Sequence, residues 1–308
     1  MKCAIIDIGS NTIRLIVYQV DGSQYEKLIT KKKMVGLVGY VVEGQMTEQG
    51  IRELIKVLHG FCEIVNYIQV DYTYAFATAS LRNIMNADEI VEKIYKELQL
   101  KIQILSGEEE ARLSFAGAMS NHYFSDGCLF DLGGGSTEVV MFSNGKPNYI
   151  ESLDMGCLNL YKAHVKNILP NKKEIKNIKK YIKKKLSSLE INEKSLLLIG
   201  VGGTARSVKR LVCNYKGYDS DCYQITKKDL DDTVEFLLKR DHCVKDLLLK
   251  KCSDRLHTII PGILIMQAIA KKTGAKIISI SNYGVREGYI LENVIKHNRS
   301  EGMVNANE

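Results

Sequence analysis

Apolar positions along the chain follow two rhythms. Short apolar runs bounded by glycine, aspartate or asparagine predict strands, and longer stretches with apolar residues every third or fourth position predict helices. "CAIIDIGSNTIRLIVYQVDG" (3–22) predicts a strand, a glycine turn and a returning strand. "TEQGIRELIKVLHGFCEIVNYI" (47–68) has helical spacing, with Thr47 as N-cap and Glu48 in the first turn. "DYTYAFATAS" (71–80) alternates as a strand, and 81–99 holds a short connection and a helix starting near Asn86 or Ala87. "KIQILSGEEEARLSFAGAMSN" (101–121) predicts a strand, a Ser-Gly turn and a helix with an acidic first turn. Further along come a strand at Leu196 to Val201, a helix from about Ala205, a helix capped by Thr226, an apolar helix at 259–274 ended by Gly274, and a strand, turn and last helix at 275–295. Strands alternating with helices, with hairpins mixed in, define an α/β chain.

The pattern contains a near-copy of itself. "CLFDLGGGSTEVVMFSNG" (128–145) repeats the plan of the opening hairpin, with Asp131 matching Asp7, Gly133 matching Gly9 and Ser136 matching Thr12, 124 residues on. Both second strands end in turn residues, Asp21-Gly22 and Asn144-Gly145. Two related hairpins so far apart predict two domains of similar plan facing a cleft, a favoured place for a ligand. We place the domains at 1–122 and 123–308.

Composition narrows the class. The 308 residues are 45% apolar and 26% charged with three prolines, values of a globular protein with well-buried cores. No apolar run reaches the length of a membrane span, and "MKCAIIDIGSN" meets Asp7 too early for a signal-peptide core, so a cytoplasmic setting without a membrane is expected. Eight scattered cysteines without a C-x-x-C pair read as reduced structural thiols. The net charge of +7 favours anionic partners. Much of it sits in "NKKEIKNIKKYIKKKL" (171–186), where Ile175, Ile178, Ile182 and Leu186 keep helical spacing. That stretch reads either as a solvated helix face or as a basic surface steering a polyanion.

Candidate chemistry follows from glycine turns, carboxylates and arginine. Phosphoryl groups are held by backbone N–H groups, arginine forks and Mg²⁺ on carboxylates. Asp7 and Asp131 each end a strand at a glycine turn; each is a metal or water ligand, or else a turn former. Glu138 lies on the return strand after Asp131, as a second carboxylate or an exposed strand residue. Arg82, just past "FATAS" at a strand end, is a phosphate fork or a surface arginine. Glu108, Glu109 and Glu110 open a helix; any of them could be a general base, and dipole complementation alone would also explain them. "GVGGT" (200–204) ends a strand before a helix, an arrangement that suits an anion or simple tight packing.

With "AIIDIGSNTIRLIV", "ATASLRN", "ILSGEEEARLSFAGA", "LFDLGGGSTEVV", "SLDMGCLNLY", "GVGGTARS" and "ISNYGVREGYILE" in that order, nearly the whole chain resembles the exopolyphosphatase/guanosine pentaphosphate phosphatase (Ppx/GppA) family. The resemblance implies two similar domains of the actin, sugar kinase and heat-shock chaperone ATPase fold (ribonuclease H-like), in a short two-domain form whose last helix packs back on the first domain. It implies metal-dependent, processive hydrolysis of the terminal phosphoanhydride of inorganic polyphosphate. The alternatives are 5'-phosphate hydrolysis of guanosine pentaphosphate, or an ATP-dependent kinase or switch on the same fold. It implies Mg²⁺, with Mn²⁺ as an alternative, a homodimer and no nucleic acid polymer as partner. By position, Glu109 resembles the catalytic base and Asp131, Glu138 and Asp7 the metal-associated carboxylates. Ser10, Asn11, Arg82, Gly133, Gly134, Gly135, Ser136, Gly202, Gly203, Thr204 and Arg255 resemble phosphate-binding positions. Asn159 stands where the family usually has Arg, and His257 where an acid is usual.

Overall fold

A computed structural model describes residues 1–121, 124–191, 193–219 and 222–296. The chain forms two compact units, one of Met1–Glu110 with the described residues from Tyr289 on, the other of Ala111–Gly288. The boundary expected between 122 and 123 falls outside the described residues.

The first unit is built on one mixed sheet. Strands β1 (Lys2–Ile8), β2 (Thr12–Asp21) and β3 (Gln24–Met34) form an antiparallel meander. A small hairpin follows, β4 (Val41–Val42) with β5 (Gln45–Met46), then helix α1 (Glu48–Tyr67). The Thr47 side chain accepts from the Gly50 N–H at 3.3 Å, as the sequence predicts for the cap. Strand β6 (Tyr72–Ala77), helices α2 (Ala79–Arg82) and α3 (Ala87–Leu98) and strand β7 (Ile102–Ile104) complete the order β3-β2-β1-β6-β7. The strand expected over 71–80 stops at Ala77, so Arg82 sits at the end of a helical turn rather than at a strand end. Leu54, Leu58, Ile90 and Ile94 of α1 and α3 close the core over Ile6, Ile8 and Leu15. Each such buried side chain contributes about 1.5–3 kcal/mol.

Helix α4 (Gly107–Met119) carries the chain from the first unit into the second. There β8 (Gly127–Leu132), β9 (Thr137–Ser143) and β10 (Lys146–Leu153) form a second antiparallel meander. Asn144 and Gly145 both have positive φ, 51° and 69°, the requirement of a type I′ hairpin turn. Helices α5 (Cys157–His164) and α6 (Lys172–Leu186), strand β11 (Leu197–Val201), helix α7 (Gly203–Lys216) and strand β12 (Gln224–Thr226) follow. Helices α8 (Lys227–Lys239), α9 (His242–Cys252) and α10 (Leu256–Thr273), strand β13 (Ile277–Ile280) and helix α11 (Val285–Tyr289) end the described fold, with a π-type segment over Ile290–Ile295. The sheet order is β10-β9-β8-β11-β13-β12, the plan of the first unit with one added edge strand. Gly274 ends α10 in the left-handed conformation, as expected. Among the described residues no helix is long and apolar enough to cross a membrane.

The repeat holds to the residue. Asp7 pairs across β1 and β2 with Arg14, and Asp131 pairs across β8 and β9 with Glu138. Glu138 and Arg14 are themselves 124 residues apart, so both hairpins share one register. Each also gains a third strand, β3 or β10, which the hairpin reading did not include.

Within the second unit, α4 and the start of α11 touch backbone to backbone. A Cβ on Gly117 would stand 2.0 Å from the Gly284 carbonyl oxygen, and one on Gly288 would stand 1.8 Å from the Leu113 carbonyl. Gly117→Ala and Gly288→Ala are therefore expected to destabilise by about 2–3 kcal/mol each, lowering the thermal midpoint by roughly 4–12 °C. Thermal unfolding checks this, and an unchanged midpoint would show that the two elements can separate freely.

Candidate active site

In the second unit the glycine turn after β8 is held from behind. Gly133 N–H closes the turn on the Ser136 carbonyl at 3.0 Å. The first turn of α5 then takes the loop's carbonyls. Cys157 N–H donates to Gly133 O at 3.1 Å, and the N–H groups of Leu158 and Asn159 donate to Gly134 O at 3.0 and 3.1 Å. Asn159 Nδ2 donates to Gly135 O at 2.9 Å. In a trans peptide the C=O and the next N–H point in opposite directions. The N–H groups of Gly134, Gly135 and Ser136 therefore point away from α5, a row of donors of the kind that cradles anions. The loop lies so close to α5 that a Cβ on Gly156 would stand 2.1 Å from Gly134 O. Asn159, the departure from the family pattern, thus has a visible task in fastening the third glycine.

The two carboxylates of this hairpin share one face of the sheet, because directly paired strand residues point the same way. Asp131 is 9% exposed and its Oδ2 accepts from Ser114 Oγ of α4 at 2.6 Å. Glu138 is 1% exposed, and its Oε1 accepts from Ser152 Oγ of β10 at 2.9 Å. Its burial removes the alternative of an ordinary exposed strand glutamate.

Strand β11 brings the "GVGGT" loop to the same place. Gly202 has φ 100°, and a Cβ there would stand 3.0 Å from Asp131 Oδ1 and 2.8 Å from Leu132 O, so only glycine fits. The Arg255 guanidinium lies on Gly203, where a Cβ would be 2.4 Å from its Nη2, and Nη1 donates to Thr204 Oγ1 at 3.4 Å. Cys157 links the two loops, its thiol donating to Gly133 O at 3.2 Å with Thr204 Oγ1 3.5 Å away. Burial pushes that thiol above its ordinary range, as it pushes Cys3 and Cys128 up to about 12. Arg206, in the first turn of α7, donates to Ser281 O at 3.4 Å. Burial holds its guanidinium below the usual arginine range; Arg286 and Arg255 add to this, while Asp131 and Glu287 oppose it. His257 packs edge-on against Tyr161, and burial with the neighbouring Arg255 lowers its pKa against the pull of Asp254.

The first unit repeats the glycine-turn device with different supports. Gly9 N–H donates to Thr12 O at 3.1 Å, the counterpart of the Gly133–Ser136 bond. The Ser10 carbonyl accepts from Val38 N–H, and the Asn11 carbonyl accepts from the N–H groups of Val35 and Gly36. The N–H groups of Asn11 and Thr12 are turned the other way. Arg82 Nη1 donates to Glu110 Oε2 at 2.7 Å and to Leu105 O at 3.1 Å. Glu110 is buried against this arginine, whereas Glu109 is exposed. Glu109 forms a capping box: its Oε2 accepts from Ser106 N–H at 2.7 Å, and its own N–H donates to Ser106 Oγ at 3.1 Å. Oε1 lies outside that box.

Asp131, Glu138, Gly133 to Ser136, Gly202, Gly203, Thr204 and Arg255 are thus one constellation of the second unit, and Asp7, Ser10, Asn11, Arg82 and Glu109 belong to the first. Sequence reasoning missed Ser114, Ser152, Cys157 and Arg206. Arg206, three residues past Gly203 at a helix start, was the only one with a readable signal. For a divalent ion, Asp131 and Glu138 supply two hard oxygen donors on one face. Among the described residues no cluster of three or more His, Cys, Asp or Glu forms a cage. That donor set fits Mg²⁺, which is commonly held by one or two carboxylates with water and substrate phosphate completing its shell.

The comparisons agree with this architecture. The closely matching solved structures share this two-sheet α/β fold. An Aquifex aeolicus Ppx/GppA family member superposes with a TM-score of 0.80 at 26% identity over 97% of this chain and 99% of that one. An exopolyphosphatase from Cytophaga hutchinsonii superposes with a TM-score of 0.84 at 21% identity over 96% and 98%, a likeness of fold. The family model described as the Ppx/GppA phosphatase family matches residues 16–297, and the chain belongs to that family. It is 30% identical to a bifunctional 3-dehydroquinate synthase/phosphatase of Fusobacterium nucleatum, over 94% of this chain but only 46% of that protein. It is 24% identical to exopolyphosphatase 1 of Mycobacterium tuberculosis, over 94% of this chain and 88% of that one.

Ser114→Ala removes a bond to a buried carboxylate and is expected to cost about 1.5–3 kcal/mol, whereas Asn159→Ala at the loop is expected to cost about 1 kcal/mol. Denaturant unfolding of the two variants checks the order. Equal and negligible losses would mean that these bonds do not hold the site.

Proposed function

We propose that the protein is a metal-dependent exopolyphosphatase, releasing orthophosphate processively from the end of inorganic polyphosphate. The observation that carries the reading is the buried pair Asp131 and Glu138 beside a glycine turn whose carbonyls are all engaged from behind. An anionic phosphoryl group suits such a turn, and the relatives named as exopolyphosphatases add support. In this reading Asp131 and Glu138 hold Mg²⁺, or Mn²⁺ in its place. The ion would offset charge on the phosphoryl oxygens.

The chain's own groups do the rest. In the second unit the N–H groups of Gly134, Gly135 and Ser136 bind phosphoryl oxygens, and in the first unit those of Asn11 and Thr12 are donors of the same kind. Arg255, lying against the "GVGGT" loop, adds a fork, and in the first unit Asp7 is a metal-associated carboxylate and Arg82 a phosphate-binding arginine. Glu109 Oε1 takes the proton of the attacking water; the new P–O bond forms as the bridging P–O bond breaks, and the shortened chain leaves as the anion. Ser106 fixes the rotamer of Glu109 through the capping box, leaving the second oxygen for the proton.

The capping box also gives a clean test. Gln caps as Glu does, so Glu109→Gln keeps the helix start and removes only the base. We expect turnover of polyphosphate to fall about 10²–10⁴-fold with binding retained. A near-normal rate would transfer the role to Glu108 or Glu110. Phosphate release from long-chain polyphosphate and from guanosine pentaphosphate, measured side by side with Mg²⁺, tests the substrate. A large preference for the nucleotide would replace this reading with that of a guanosine pentaphosphate 5'-phosphohydrolase.

A further inference from the structure

The second unit has a groove of about 850 Å³ walled by α6, α8 and α10, built from residues none of which belongs to the constellation above. Four exposed lysines line it, Lys179 and Lys183 one turn apart on α6, and Lys271 and Lys272 at the end of α10. None of the four has an ion-pair partner among the described residues. A fifth, Lys227, is paired with Asp231, which also accepts from Gln267 Nε2 at 2.8 Å. Glu235 is the remaining acid at the rim, so the groove is strongly cationic.

Helix α6 makes this charge conspicuous. It has eight lysines and one glutamate, and Glu174 is buried in the capping box with Asn171. Its lysines therefore face one another without acids between them, and lysines four apart repel. An ordinary solvated helix face intersperses both signs; this one keeps a net field that a polyanion would relieve.

The groove floor identifies the kind of anion. Ile182, Leu186 and Leu264 are buried to 5% exposure or less, so the surface on offer is chiefly lysine stem and ammonium, with Ser187, Gln267 and the acids Asp231 and Glu235 beside them. An amphipathic partner helix would need exposed apolar anchors, and a nucleic acid strand would gain from an aromatic platform. The lining offers neither. A flexible chain of phosphates, carrying charge and no apolar part, fits it.

We propose that this groove is a second binding site for linear inorganic polyphosphate, holding a stretch of the chain away from the hydrolysed end. The proposal rests on the reading of the substrate given above. Its role is retention: a chain anchored there stays bound between successive cleavages, so the site matters for long chains and not for short ones.

The test is equilibrium binding of long-chain polyphosphate and of tripolyphosphate to the full chain, in a Glu109→Gln background so that neither ligand is consumed. Neutralising the four lysines together (Lys179→Gln, Lys183→Gln, Lys271→Gln, Lys272→Gln) should weaken long-chain binding at least about tenfold and lower its salt slope by about 3. Tripolyphosphate binding should not change. The pair Lys179→Gln/Lys183→Gln should give about half the slope change, which keeps the test valid if the fourfold variant does not fold. A charge-matched control neutralises Lys27, Lys31, Lys33 and Lys56 of the other unit. Undiminished long-chain binding, an equal loss in the control, or a parallel loss for tripolyphosphate would each overturn the proposal. So would equal competition by RNA of matched charge, which would assign the groove to nucleic acid. Phosphate release by the unmodified protein tests the hydrolase reading separately, so either idea can fail without the other.

Discussion

A peptide group has two faces, and the candidate site depends on which one each glycine turn presents. At Gly133 to Gly135 the carbonyls are taken by the start of α5 and by Asn159. At Ser10 and Asn11 they are taken by the segment from Val35 to Val38. Unlike supports thus impose the same orientation on both turns. Without them a glycine-rich turn would sample many conformations, and its N–H groups would not be aimed. Pre-oriented donors of this kind give up little freedom when an anion arrives, which is how binding strength is gained without large contact area. The supports also explain why Gly156 has no side chain: α5 must come within van der Waals contact of the turn it orients.

Much of this plan was legible in the residues. The repeat between the two hairpins could be read from Asp7, Gly9 and Thr12 against Asp131, Gly133 and Ser136, because strand–turn–strand pairing is local and its turn chemistry is specific. Thr47, Gly274 and the helix near Ala87 were readable for the same reason. What stayed hidden depends on distant partners. Strand β3 is exposed along nearly its whole length and lysine-rich, so nothing in its pattern marks a strand until β2 is present to pair with it. Arg82 read as a strand-end residue because "FATAS" alternates, yet the backbone turns into a helix after Thr78. The supports of the carboxylates, Ser114 and Ser152, are single hydroxyls in unremarkable stretches, and only the tertiary fold identifies them.

The three acids of "SGEEEA" show how the fold separates residues that composition leaves alike. Composition could not choose among them. The structure separates them by surroundings: Glu110 is buried on Arg82, and Glu109 is exposed with one oxygen on the Ser106 N–H. Dipole complementation is the bland role expected of these acids; the structure adds a capping box at Glu109 that leaves its other oxygen outside. A cap holds a carboxylate in one rotamer, and a base must be held in one rotamer to meet a water in line.

The two hairpins share a register but not a charge. Facing Asp131 is Glu138, and facing Asp7 is Arg14, at the same step of the repeat. Two carboxylates at facing positions disfavour each other's charge, whereas an arginine facing an aspartate favours it. One scaffold, used twice, therefore carries two carboxylates at this cross-strand step in one copy and a carboxylate with a guanidinium in the other. The difference lies in a single cross-strand position. The local charge in such a repeat is set less by the conspicuous glycines and aspartates, which both copies keep, than by the residue directly opposite.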